Sequence, residues 1–152
     1  MTSQANPKTI ELYGYGCQHE AEALGAITPG MLVERAAGGV QAHSGAGGPA
    51  NLHFANEYDL TGRGIDDDYA AEDQVVFTTY NPGSGVYGLV AAEAAAIAEG
   101  DFLASAGDGT LAAAGDDEVV VAQALEAVDN SGESEVSRIR VEVVSAHRTD
   151  PA

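Results

Sequence analysis

A short pattern occurs twice in this chain, 70 residues apart, and it constrains the fold more than any other feature. The first copy is Ile27-Thr28-Pro29-Gly30-Met31-Leu32-Val33, followed by Gly38-Gly39-Val40. The second is Ile97-Ala98-Glu99-Gly100-Asp101-Phe102-Leu103, followed by Gly107-Asp108-Gly109-Thr110-Leu111. Each is an isoleucine, a glycine turn, an apolar run, a second glycine turn and a returning run. That is the outline of a β-hairpin entered through a turn. Two copies imply a chain assembled from repeated β units, a scaffold more than a catalytic machine.

The remaining segments read the same way. Residues 8–13 (KTIELY) can form a strand with Ile10 and Leu12 on one face, after which Gly14 and Gly16 loosen the chain. Residues 31–36 and 40–43 are the strands of the first copy, and 44–50 form a glycine-rich loop. Residues 52–58 read as a strand with Leu52, Phe54 and Tyr58 inward, before an acidic loop over 62–73. Residues 74–80 (QVVFTTY) are β-branched and aromatic, the best strand of the first half. Asn81-Pro82-Gly83-Ser84-Gly85 reads as a hairpin turn joining them to residues 86–90. Residues 21–26 and 91–98 are rich in Ala and Glu; despite the helix propensity of AAEAAA, both read as short strands or connectors. Residues 102–105, 110–113, 119–125 and 138–144 complete the second half, and Ile139, Val141 and Val143 alternate there with Arg138, Arg140 and Glu142. The expectation is all-β: a small barrel or sandwich of short strands and hairpins with an internal repeat. It has an extended N-terminal arm over residues 1–13, a single β-barrel domain over 14–146 and a C-terminal tail over 147–152.

Charge restricts the partners. Twenty-four acidic residues against six basic ones give a net charge of −18, and Lys8 is the one lysine. Nucleic acid is not an expected partner, since phosphate binding needs clustered Lys and Arg; an acidic membrane surface is disfavoured for the same reason. Such a balance raises solubility at a cost in self-repulsion. It also suits molar salt, where the Debye length falls to about 3 Å and carboxylates hardly repel one another. Acid-rich, lysine-poor composition is that of halophilic proteins. Cys17 stands alone, so no intrachain disulfide is expected. No basic, apolar leader opens the sequence and no run approaches the ~20 apolar residues of a membrane span, so a soluble chain made in the cytoplasm is expected.

Residues that carry chemistry elsewhere have plainer readings here. Asp66-Asp67-Asp68, with Glu72 and Asp73, offers oxygen ligands for Ca²⁺ or Mg²⁺, yet reads more simply as a solvated loop; the same holds for Asp116-Asp117-Glu118. Asp108 between Gly107 and Gly109 reads as a turn residue tolerating positive φ. Cys17 and His19 would share one side of an extended strand, as a metal or nucleophilic pair. His43, His53 and His147 fall on separate elements. Ser44 and Ser84 lack the strand–turn–helix setting of a nucleophile elbow, and Gly45-Ala46-Gly47-Gly48 lacks the lysine and helix of a phosphate loop. No catalytic residue, cofactor or metal is expected.

Residues 66–144 resemble the small head decoration, or capsid cement, proteins of tailed viruses. The resemblance lies in the order of Tyr69-Ala70-Ala71-Glu72-Asp73-Gln74-Val75, Gly85-Val86-Tyr87-Gly88-Leu89-Val90, Gly100-Asp101-Phe102-Leu103, Ala106-Gly107-Asp108-Gly109-Thr110-Leu111, Ala124-Leu125-Glu126-Ala127 and Arg138-Ile139-Arg140-Val141. Glu72 departs from the glycine expected in its turn. With the acidic composition, the resemblance implies a haloarchaeal virus. It further implies a non-catalytic β-barrel protein, often trimeric, on the outer surface of an icosahedral head, clamping major capsid protein subunits. The expected capsid or subunit contacts are Lys8, Ile10, Leu12, Tyr13 and Tyr15, on an arm that adds a strand to a neighbour's sheet. The plainer alternative is that Ile10 and Leu12 belong to the barrel core. A second function class is a carbohydrate- or receptor-binding module, with Tyr13, Tyr15, Tyr58, Tyr80 and Tyr87 as stacking faces.

Overall fold

The computed structural model describes residues 6–150. Among them are eleven β-strands and one 3₁₀ turn, Asp59–Thr61. The strands are β1 (Glu11–Tyr13), β2 (Gly16–Glu22), β3 (Val33–Ala36), β4 (Gly39–Ala42), β5 (His53–Ala55), β6 (Gln74–Tyr80), β7 (Gly85–Val90), β8 (Phe102–Ser105), β9 (Leu111–Ala113), β10 (Val119–Ala124) and β11 (Ser137–Arg148). The Ala/Glu segment 91–98 forms no helix. The all-β expectation holds, but the barrel occurs twice.

In the second half, β7 pairs with β11, β11 with β10, β10 with β8 and β8 with β9, all antiparallel. A parallel bridge from Leu111 to Val90 returns β9 to β7 and closes a five-stranded ring. In the first half, β2 pairs with β6 and β6 with β5. A Phe54–Leu32 bridge leads to the start of β3, β3 pairs with β4, and a parallel Val40–Ala23 bridge returns to the end of β2. The two rings share strand order and direction. Several loop hydrogen bonds match as well. Gly30 donates to Ala55 O and Gly100 to Ala124 O, both at 2.8 Å. His43 N–H donates to Leu32 O at 3.0 Å and Ala114 N–H to Phe102 O at 2.9 Å. Ile27 bridges Tyr69 as Ile97 bridges Val128.

The repeated motif is a turn with positive φ at its third residue. Met31 N–H reaches Thr28 O at 3.0 Å and Asp101 N–H reaches Ala98 O at 3.1 Å, with φ of 98° at Gly30 and 93° at Gly100. This is type II geometry, which asks for glycine at that place. Ala70-Ala71-Glu72-Asp73 forms a third such turn, with its closing bond at 3.1 Å and Glu72 at φ 75°.

Two cores follow from two rings. One cluster, with Ile27, Val33, Val40, Tyr69, Val75 and Phe77, fills the first barrel. The other, with Val86, Val90, Leu103, Leu111, Val121 and Val141, fills the second and takes in Leu32, Phe54 and Tyr80 from the first. β6 is buried on both faces for this reason: Val75 and Phe77 enter one cluster, and Tyr80, on the other face, enters the second. In β11, Ile139, Val141 and Val143 are buried while Arg138, Arg140 and Glu142 keep a half-wet face, as their alternation predicts.

Four expectations need correction. Asn81-Pro82-Gly83-Ser84 is a turn, closed by Ser84 N–H to Asn81 O at 3.1 Å, but it joins the barrels rather than a hairpin. β6 pairs with β2 and β5, whereas β7 pairs with β1, β11 and β9. The segment loosened by Gly14 and Gly16 is β2, held in register with all of β6; its inward positions, His19 and Ala21, give too weak an apolar rhythm to announce a strand. The C-terminal tail begins later than residue 147, because β11 runs to Arg148 and Thr149 N–H donates to Glu118 O at 2.8 Å. The N-terminal arm ends before residue 10. Ile10 is fully buried in the second core, Tyr87 N–H donates to its carbonyl at 2.8 Å, and β1 pairs with β7. β9 reaches β7 only at Val90, so the first half of β7 offers an open edge that β1 occupies. Residues 1–5 of the expected arm lie outside the described residues.

Candidate functional site

The five expected contact residues divide. Ile10 is core, Leu12 is half-buried and Lys8 is exposed. Tyr13 and Tyr15 present 48% and 71% of their surface. Both are held on a fixed backbone. Ser84 Oγ accepts from Tyr15 N–H at 3.2 Å and donates to Tyr15 O at 3.1 Å. A side chain at Gly14, which has φ 92°, would meet Ser84, and one at Gly85 would meet the Tyr13 ring. Two rigid, exposed aromatics beside one turn form a ready contact surface. Tyr58 and Tyr87 are half-buried, and Tyr80 is lost as a stacking face. Burial pushes the Tyr80 phenol up to about 12, and its oxygen accepts from Asn56 Nδ2 at 2.6 Å.

Several members of the acidic clusters are engaged with the protein itself. Asp66 pairs with Arg138 at 2.9 Å, and Asp67 accepts from Gly64 N–H at 2.7 Å. Asp117, at φ 57°, pairs with Arg148 at 3.3 Å, and Glu118 accepts from Gly115 N–H. Asp108 braces its turn by accepting from the backbone and hydroxyl of Thr110. The positive φ there belongs to Gly107 and Gly109. Ser44 donates to Glu34 at 2.9 Å, and Gly47 is stitched to Ser105 and Val119. Among the described residues, no group of three His, Cys, Asp or Glu side chains is placed to hold a metal ion.

Two of the histidines, His19 and His53, are brought together around Thr79, which the sequence reading did not anticipate. Cys17, Thr79 and His53 stand opposite one another across β2, β6 and β5, and His19, Phe77 and Ala55 form the next row on the same face. Thr79 Oγ1 lies 3.1 Å from His19 Nε2 and 2.7 Å from His53 Nδ1. A hydroxyl donates one proton, so of two neutral rings one accepts from Thr79 and the other donates to it. The His19 and His53 rings lie 5.3 and 5.6 Å from Phe77, and the Arg35 guanidinium covers Phe77 at 5.1 Å. Burial, then Arg35, then His19 hold the His53 imidazole below its ordinary value. A cleft of about 260 Å³ opens beside this face, between His53, Arg35, His43, Glu34 and Asn51. Cys17 is exposed, while the His19 ring is turned to Thr79. His43 is committed to Ser105 at 2.7 Å and to Pro49 O at 2.8 Å. His147 stays apart, edge-on to Phe102 at 5.7 Å.

No protein-family model matches the chain, and no curated protein matches it.

Proposed function

We propose that this protein is a structural virion component, without catalysis, that binds the outside of an icosahedral head of a haloarchaeal tailed virus and stabilises contacts between major capsid protein subunits. The observation that carries the reading is the ordered resemblance over residues 66–144, whose glycine turns and apolar runs coincide with the turns and strands β6–β11. Two small barrels suit a clamp, and Tyr13 and Tyr15 supply a fixed aromatic contact beside their junction. Self-association as a homotrimer on a symmetry axis belongs to the same proposal. The protein would be made in the host cytoplasm and act on the virion surface, with no nucleic acid or membrane partner.

Mass spectrometry of purified halophilic virions is the first test: near-stoichiometric copies are expected, and absence overturns the reading. A Tyr13→Ser/Tyr15→Ser double variant should keep its melting temperature and co-sediment poorly with capsids. The same exposed tyrosines support a second reading, a carbohydrate- or receptor-binding module. Retention on glycans, with no sedimentation on capsids, would favour it instead.

A further inference from the structure

The duplicated fold supplies an internal control for the histidine cluster. Registers define equivalent positions, because Val40–Ala23 and Leu111–Val90 are the same closing bridge. Following the pairings around each ring, His19 corresponds to Val86, Thr79 to Val143, Phe77 to Val141, His53 to Ala122 and Arg35 to Ser105. In the second barrel all five positions are buried, four of them apolar. That barrel closes its end with valine and alanine. The fold therefore does not require His, Thr, His and Arg at the matching end of the first barrel.

Charge makes the substitution odder still. Arg63, Arg138, Arg140 and Arg148 each pair with a carboxylate. Among the described residues, Arg35 is the one arginine without such a partner, in a chain of net charge −18. The acid that lines the same cleft, Glu34, is bound instead by Gln41 at 2.6 Å and by Ser44. Those bonds and His43 outweigh its burial and keep its carboxyl below the usual range. His53 engages Thr79 through Nδ1, so Nε2 is the nitrogen it can offer a ligand.

We propose that the open end of the first barrel is a binding site for a single carboxylate group, gripped by the Arg35 guanidinium and the His53 Nε2–H, with His19 and Thr79 setting the His53 ring. Arginine's planar fork matches a carboxylate's two oxygens, and the Arg35 guanidinium carbon sits 5.1 Å from the Phe77 ring centre, within cation–π range. Barrel mouths are a recurrent place for such sites. A cleft of about 260 Å³ has room for a group the size of one side chain. The carboxylate comes either from a small acid or from an acidic side chain of a neighbouring protein. This inference does not depend on the virion reading.

The test is NMR of the histidine rings in the full chain, titrated with sodium acetate against sodium chloride at constant ionic strength. Saturable shifts at His53 and His19 are expected with acetate. They should be about tenfold weaker or absent in Arg35→Gln, intermediate in Arg35→Lys and unchanged in Arg63→Gln. The amide spectrum of each variant reports whether it is folded. Non-saturating shifts, equal shifts with chloride, or unchanged binding in folded Arg35→Gln would overturn the proposal. A parallel titration with N-acetyl-aspartate N-methylamide separates the sources: binding at least as tight as acetate assigns a protein side chain, and acetate alone assigns a small acid.

Discussion

Glu72 occupies a left-handed turn position that its counterparts give to Gly30 and Gly100. Left-handed backbone costs a side-chain-bearing residue about 1–2 kcal/mol, while glycine loosens the unfolded chain by somewhat less than 1 kcal/mol. Glu72→Gly should therefore stabilise the fold by about 0.5–1 kcal/mol, read from urea denaturation; the backbone bond from residue 72 to Ala23 O is retained. His53 gives the second residue-scale expectation. Its folded value lies below the 6.5 of a free imidazole because burial, Arg35 and His19 disfavour the charged ring. The unfolded chain takes up that proton first as pH falls. Stability from this group is complete above about pH 6.5 and declines below it. His53→Gln should shrink the loss between about pH 7 and pH 5, measured by denaturation at each pH. Carboxylates protonate in both proteins, so the difference between them isolates the imidazole.

At the scale of elements, β1 is the most revealing strand. Only three residues long, it is preceded by a fully buried isoleucine in the second core. Ile10→Ala should cost about 2–4 kcal/mol, the range for truncating a buried isoleucine, and lower the denaturation midpoint accordingly. Leu12→Ala, on a half-buried side chain, should cost less than half of that. Equal, near-zero costs would return residues 10–13 to the status of a free arm. The hairpins tell a related story. β3–β4 and β8–β9 pair locally, each turned by positive-φ glycine. β6 pairs with β2, 52–64 residues earlier, and β11 with β7, 47–57 residues earlier, and these non-local contacts should make folding slow.

The whole molecule is two small barrels sharing one apolar seam, through Leu32, Phe54 and Tyr80, under a strongly negative surface. Four arginine–carboxylate pairs offset only a fraction of the 24 acids. In dilute buffer the remaining carboxylates repel over roughly 10 Å or more, and at molar salt over about 3 Å. The melting temperature should rise between 0.1 and 3 M salt by about 5 °C or more, on the order of 2 kcal/mol for a chain of this size. A flat profile by circular dichroism would count against the halophilic origin. Analytical ultracentrifugation at high salt tests the trimer; a symmetric dimer would exclude it.

The sequence by itself determined the local events. Glycines at 30 and 100, alternation at Ile139, Val141 and Val143, and the β-branched run of β6 announced turns and strands because backbone sterics and side-chain periodicity act within a few residues. The resemblance added an order to those pieces. Only the tertiary structure decided that one expected barrel is two, that β6 and β7 part at their shared turn, and that a polar stretch such as β2 is a strand. Those outcomes depend on which edges meet across long loops, and a strand apolar on both faces carries no mark of its neighbours. The candidate site was equally hidden. His19, Arg35, His53 and Thr79 are scattered over four strands, and each alone is an ordinary polar residue. They become a site only because antiparallel registers stack them on one face around Phe77, while the same registers in the second barrel bring together valine, alanine and serine.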